Sequence, residues 1–134
     1  MYVDACAIVA IIAREDSATA YAEALAGADH PWTSTLAAWE AVIVLSRPEK
    51  LNCPFTIAER VVVEWLEERD IALRSSERPR EVLSLAVAVA ERHGLGKRAL
   101  SNFDCFHYAY ARAAGAAILT LDRLLRETDA HTAP

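Results

Sequence analysis

The sequence predicts an α/β fold with a central, mainly parallel sheet and helices on both faces. Three observations point to it. Short apolar runs of strand length alternate with longer stretches of helical period along the whole chain. Capping residues, prolines and glycines fall at the expected boundaries of those stretches. At 134 residues and 54% apolar content, the chain has the size and the apolar material of one compact domain. Strands that alternate with helices call for parallel pairing and right-handed crossovers.

In order, Met1–Val3 reads as a short buried strand. Cys6 to Ala13 and Ser17 to Ala26 read as helices, with Ser17 as a cap. Pro31-Trp32-Thr33 reads as a strand, and Ser34 or Thr35 caps a helix to about Ser46, stopped by Pro48. Thr56 is expected to cap a helix from Ile57 to Glu68, whose Ile57, Val61, Val62, Trp65 and Leu66 share one face. Ile71-Ala72-Leu73 reads as a strand. Pro79 opens a helix to about Arg92 that Gly94 ends. A loop from Leu95 to Leu100 leads to a helix from Asn102 to Ala113, ended by Gly115. Ala116 to Leu121 is a strand, and a short helix follows Asp122.

Charge and cysteine content narrow the function. The apolar run Ala5 to Ala13 is too short to span a bilayer and follows Asp4 rather than a basic segment, so we expect a soluble, cytoplasmic chain. Cys6, Cys53 and Cys105 are odd in number and lack zinc-site spacing, which suits three reduced thiols. The net charge of −5 is unevenly spread. Residues 1–91 hold 8 Arg and Lys against 15 Asp and Glu, whereas residues 92–126 hold six bases (Arg92, Lys97, Arg98, Arg112, Arg123 and Arg126) against Asp104 and Asp122 alone. A basic rim around an acidic pocket suits a polyanion held over a metal, although six ordinary solvated cations account for the same composition.

Four carboxylates lie in apolar surroundings. Asp4 ends Met1-Tyr2-Val3, and Glu40 is embedded in Leu36 to Leu45 with no cation before Arg47. Asp104 is flanked by Phe103, Cys105 and Phe106, and Asp122 closes Ala116 to Leu121. A buried, unpaired carboxylate costs several kcal/mol or takes up a proton. Four in one small domain make sense if they share a cation, and all-oxygen donors select Mg²⁺ or Mn²⁺. Asp4 and Asp122 stand at strand ends, the usual ligand edge of a parallel sheet. Taken singly, Asp4, Asp104 and Asp122 also read as helix caps, and Ser101-x-x-Asp104 resembles a capping box. Glu40 resists that reading, and its ordinary alternative is a pair with Arg47 or a more distant arginine. His107, three residues past Asp104, reads as a surface or partly satisfied histidine before it reads as part of the site. Tyr108 and Tyr110 suit base stacking or core packing.

Other chemistries fit less well. The chain has no phosphate-binding glycine loop, no His-Glu-x-x-His and no Gly-x-Ser-x-Gly. An aspartyl phosphatase wants a second Asp where Cys6 stands. A phospho-receiver wants a late lysine, and only Lys50 and Lys97 are present. A non-catalytic protein-binding module, using apolar surface at Trp32, Trp39 or Trp65, remains as the alternative.

These segments resemble a known family. Met1 to Ala10, the helix bearing Trp39-Glu40-Ala41, the stretch Leu100 to Ala109, and Ile118-Leu119-Thr120-Leu121-Asp122-Arg123 are similar, in order and spacing, to PIN-domain ribonucleases, particularly the VapC toxins of bacterial toxin–antitoxin pairs. The resemblance spans nearly the whole chain and implies a PIN-like three-layer sandwich forming a single domain over residues 1–134. It implies a Mg²⁺- or Mn²⁺-dependent endoribonuclease with Asp4, Glu40, Asp104 and Asp122 as catalytic and metal-site acids and Thr120 as a supporting hydroxyl. It also implies a structured RNA target such as tRNA, 5′-phosphate products, a homodimer, and inhibition by a cognate VapB-like antitoxin. Arg92, Lys97, Arg98, Arg112 and Arg123 are then the expected RNA contacts. Two departures stand out. Ala5 and Cys6 replace hydroxyl residues common after the first Asp, which predicts a missing hydrogen bond beside it. Phe103 replaces a glycine often found before the third Asp.

Overall fold

The computed structural model describes residues 1–134. Five short strands form one sheet: β1 (Tyr2–Val3), β2 (Trp32–Ser34), β3 (Ala72–Arg74), β4 (Ile118–Leu119) and β5 (Thr132–Ala133). Their order is β3-β2-β1-β4-β5, and every neighbouring pair is parallel. Seven helices complete the α/β sandwich: α1 (Ala5–Ile12), α2 (Ala18–Ala26), α3 (Thr35–Leu45), α4 (Phe55–Glu68), α5 (Pro79–His93), α6 (Asn102–Ala113) and α7 (Arg123–Arg126).

The core falls into two parts. The larger joins the inner strands to α1, α2, α3 and α4 through Val3, Ile8, Leu45, Val62, Ile118 and Leu119. The smaller lies under α5, α6 and α7, with Val82, Val89, Leu100, Tyr108 and Leu125. Each fully buried aliphatic side chain contributes roughly 1.5–3 kcal/mol relative to exposure. On α3, Ala37, Ala41 and Leu45 recur every four residues and are completely buried. The small alanines let α3 approach the sheet and α1 closely. Glu40, about 100° round the helix from Ala41, is thereby placed at the margin of the core rather than inside it.

Several boundaries differ from the sequence-based expectation. The fourth helix begins at Phe55, because the Pro54 carbonyl accepts from Ile57 and Ala58 N–H; Thr56 does not cap it. Ile57 is 40% exposed, and Ala58 takes the core position beside Val62, Trp65 and Leu66. Ser17 makes no side-chain cap bond, whereas Ser34 caps α3 by accepting from Ala37 N–H. Ile71 is outside the ladder, since its N–H closes on Leu66. Within Ala116 to Leu121 only Ile118 and Leu119 pair as a strand. The edge strand β5 has no apolar run to announce it. It exists because Ile118 and Thr120 donate to the carbonyls of His131 and Ala133. Gly94 ends α5 at φ +81° and Gly115 follows α6 at φ +61°, conformations that glycine adopts without a Cβ penalty. No helix is long and apolar enough to cross a membrane.

Candidate functional site

Parallel strands gather their following residues at one sheet edge. Asp4 comes directly after β1, Ser34 ends β2, and Thr120 comes directly after β4. Asp4 occupies the N-cap position of α1 with extended backbone, yet its side chain caps nothing. The cap reading therefore fails for Asp4. Its carboxylate is turned into a polar cluster and is only 2% exposed.

Asp4 Oδ2 accepts from the Thr120 hydroxyl at 2.7 Å and from the Cys6 thiol at 2.8 Å. The hydrogen bond expected to be missing after the first Asp is thus supplied by sulfur. Burial, and then the Asp4 charge, push the Cys6 thiol far above its usual range, which keeps it protonated as a donor. Tyr21 braces this side, donating to Cys6 Sγ and accepting from Leu121 N–H.

Glu40 does not pair with Arg47 or with any other arginine. Its Oε2 lies 2.6 Å from His107 Nε2, and the same nitrogen is 3.4 Å from Asp4 Oδ1. His107 is completely buried and belongs to the site, contrary to its expected surface placement. Its Nδ1 lies 2.9 Å from the Tyr2 hydroxyl, which is 2.8 Å from Ser34 Oγ. The spacing Asp104, His107, Tyr108, Ala111 puts these residues on one face of α6, and that i, i+3, i+4 pattern was the available signal. Nothing comparable marked Tyr2 or Ser34. Burial lowers the His107 pKa, but the Asp4, Glu40 and Asp104 carboxylates outweigh it, so the net shift is upward.

Asp104 closes the capping box with Ser101. Its Oδ2 accepts from Ser101 N–H at 2.7 Å while Ser101 Oγ accepts from Asp104 N–H at 3.1 Å. Asp122 caps α7, its Oδ1 accepting from Leu124 and Leu125 N–H. For these two acids, capping uses one oxygen and leaves the other without a hydrogen bond. Burial raises the Asp104 pKa and the Ser101 bonds lower it; Asp122 and Asp4 add to the rise, and the net shift is upward. Asp104 is thus in electrostatic reach of Asp4 and Asp122, although neither Asp104 nor Asp122 joins the close donor cluster of Asp4, Glu40 and His107.

No arginine or lysine forms an ion pair with any of the four; His107 Nε2 lies within ion-pairing distance of Asp4 and Glu40. Negative charge concentrated this way, in a partly dry setting, fits a divalent cation held by oxygen donors. Donor atoms of Asp4, Glu40 and His107 lie within 4.8 Å of one another, close enough to share one ion.

The basic residues are less concentrated. Arg92 and Arg112 converge on Asp129, at 3.9 and 3.5 Å. Arg112 also lies over the Tyr108 ring, while the Tyr108 hydroxyl donates to Asp129. Arg123 pairs with Glu127 at 3.2 Å. Lys97 and Arg98 are exposed in the loop before Asp104. Of the three tryptophans, only Trp39 is exposed, edge-on to Phe55; Trp32 and Trp65 are buried. A cleft of about 330 Å³ between Trp32, Arg74, Arg78 and Tyr110 does not contain the acids.

A sequence profile of the PIN domain matches residues 1–131. The chain belongs to the PIN-domain family. Two VapC relatives fit the same conclusion. VapC ribonuclease Mb0625 of Mycobacterium bovis and ribonuclease VapC28 of Mycobacterium tuberculosis are each 35% identical to it over 112 residues, covering 83% of this chain and 80% of theirs. The all-parallel sheet flanked by helices is the PIN architecture that the sequence resemblance implied. PIN nucleases generally use divalent metals, which suits the acidic cluster at this sheet edge.

Proposed function

We propose that this PIN-domain protein is an endoribonuclease toxin of the VapC type that cleaves structured RNA such as tRNA with Mg²⁺ or Mn²⁺. The observation that supports the reading is the meeting of Asp4, Glu40 and His107 donor atoms within 4.8 Å at the carboxyl edge of the sheet, with Asp104 in electrostatic reach of Asp4 and Asp122 and no arginine or lysine paired with any of these acids. Asp4, Asp104 and Asp122 would hold the cation, and Glu40 would hold it directly or through water. A divalent ion in such a setting supplies Lewis acidity, lowering the pKa of a water and offsetting charge on phosphate.

The chain's own groups do the rest. Thr120 and Cys6 fix Asp4 Oδ2, so that Oδ1 faces the cluster. Capping fixes Asp104 and Asp122 against backbone N–H groups, leaving one oxygen of each for the site. Glu40 is held through Oε2, and its Oε1 is the acceptor for the proton of the attacking water. In-line attack on the phosphodiester leaves a 5′-phosphate. Arg123 directly follows Asp122, and Lys97 and Arg98 are exposed in the loop that leads to the Asp104 helix; these three are the first candidates for RNA phosphates, whereas Arg92 and Arg112 are already engaged with Asp129. A homodimer, cytoplasmic location, a single domain over 1–134, and a VapB-like antitoxin covering the site complete the reading.

The test is cleavage of total cellular RNA by purified, antitoxin-free protein in Mg²⁺, Mn²⁺ and EDTA, with Asp104→Asn alongside. Discrete fragments that vanish in EDTA and in the variant are expected. Intact RNA in every metal lane, or full activity of Asp104→Asn, contradicts the proposal.

A further inference from the structure

We propose that His107 Nε2 is itself a ligand of the bound cation, making this a mixed carboxylate–imidazole site that prefers Mn²⁺ to Mg²⁺. The inference rests on the reading above, that the acidic cluster holds a divalent ion.

Adjacent ligands of an octahedral ion with bonds of about 2.1 Å stand roughly 3 Å apart. His107 Nε2 lies 2.6 Å from Glu40 Oε2 and 3.4 Å from Asp4 Oδ1, distances that bracket that spacing. All three donor atoms fall within 4.8 Å of one another. An ion at Asp4 and Glu40 therefore sits within reach of the imidazole nitrogen, and it takes the place of the proton now shared by Nε2 and Glu40.

The imidazole ring is supported from behind. Metal-bound histidines fix their tautomer by donating from the other nitrogen. Here Nδ1 meets the Tyr2 hydroxyl at 2.9 Å, and that hydroxyl meets Ser34 Oγ at 2.8 Å. With Tyr2 donating to Ser34, the phenol oxygen accepts from Nδ1–H, and release of the Nε2 proton to solvent leaves that lone pair facing the acids. The Phe103 ring stacks on the imidazole at 6.4 Å and the Tyr2 ring lies 5.9 Å away, limiting its rotation. Phe103, which stands in place of a family glycine, thus has a role in this chain. Mg²⁺ is a hard cation that binds oxygen donors, so replacing one oxygen by an imidazole nitrogen weakens its hold more than that of Mn²⁺, a first-row transition ion that also accepts carboxylates.

The experiment is pulsed electron paramagnetic resonance of Mn²⁺ bound to the metal-free full chain, with Mn²⁺ and Mg²⁺ affinities measured by calorimetry. Nitrogen-14 coupling to Mn²⁺ is expected, changing to the nitrogen-15 pattern when histidine is labelled and disappearing in His107→Gln. The ratio of Mn²⁺ to Mg²⁺ affinity is expected to fall about tenfold or more in that variant. A second protein, with His30→Gln, His93→Gln and His131→Gln together, leaves His107 untouched and should keep the coupling. Mn²⁺ bound without nitrogen coupling, or coupling lost in the triple variant, overturns the assignment and leaves the carboxylate site standing. Failure of the wild-type chain to bind Mn²⁺ overturns both.

Discussion

Thr120→Val probes the scaffold behind the first acid. The Thr120 hydroxyl is fully buried and donates to Asp4 Oδ2 at 2.7 Å. The same oxygen accepts from Asp122 N–H at 3.1 Å. Valine has nearly the same shape, so core packing is kept while both bonds are lost. A hydrogen bond to a charged group contributes about 1.5–3 kcal/mol, and a neutral one about 1 kcal/mol. Buried as the pair is, water has little room to replace the hydroxyl. The expected loss is about 3 kcal/mol, a large share of the roughly 5–15 kcal/mol typical of a small domain. Urea unfolding at neutral pH in EDTA reads it as a lower midpoint at unchanged slope. Thr120→Ser keeps both bonds, loses one methyl, and should cost about 1 kcal/mol. In a double-mutant cycle with Asp4→Asn, the Thr120–Asp4 coupling should be about 1 kcal/mol or more. A Thr120→Val loss no larger than that of Thr120→Ser, or a coupling near zero, would refute the claim that this hydroxyl holds the carboxylate.

Two further predictions follow from the same geometry. Asp104→Asn keeps an oxygen for Ser101 N–H but removes a charge that Asp122 and Asp4 oppose. Its melting temperature in EDTA should equal or exceed that of the wild type while RNA cleavage is lost; a large destabilisation would mean that capping was the residue's main task. The Tyr108 hydroxyl bond, with Arg112 and Arg92 beyond it, holds the Asp129 carboxyl below its usual pKa. A depressed carboxylate contributes stability above its unfolded pKa of about 3.9 and loses it as pH falls through the folded value. Tyr108→Phe should therefore melt lower than wild type at pH 7, with the gap closing below about pH 4. A gap independent of pH would show that the hydroxyl does not act through Asp129.

The acids were legible because carboxylates inside apolar runs are costly, and the runs themselves gave the strand and helix order that brings Asp4 and Asp122 to one edge. The reading of three acids as caps was correct for one oxygen each of Asp104 and Asp122 and wrong for Asp4, since a cap position in sequence does not reveal where the side chain turns. His107 was undervalued because a histidine beside aromatics is ambiguous until its partners are known, and those partners, Glu40 and Tyr2, lie 67 and 105 residues away. The thiol bond of Cys6 escaped because cysteine was treated as a failed hydroxyl rather than a buried donor. Strand β5 was invisible because pairing with β4, not residue preference, creates it.

Asp4, Glu40, Asp104 and Asp122 are proposed to form one divalent-cation site. Calorimetric titration of Mg²⁺ and Mn²⁺ into metal-free protein tests it most directly, with Asp4→Asn, Glu40→Gln, Asp104→Asn and Asp122→Asn titrated in parallel. Saturable binding by the wild-type chain is expected, weakened by every one of these neutralisations. A wild-type chain that binds neither ion at millimolar concentration, or variants that bind as tightly as wild type, would contradict it.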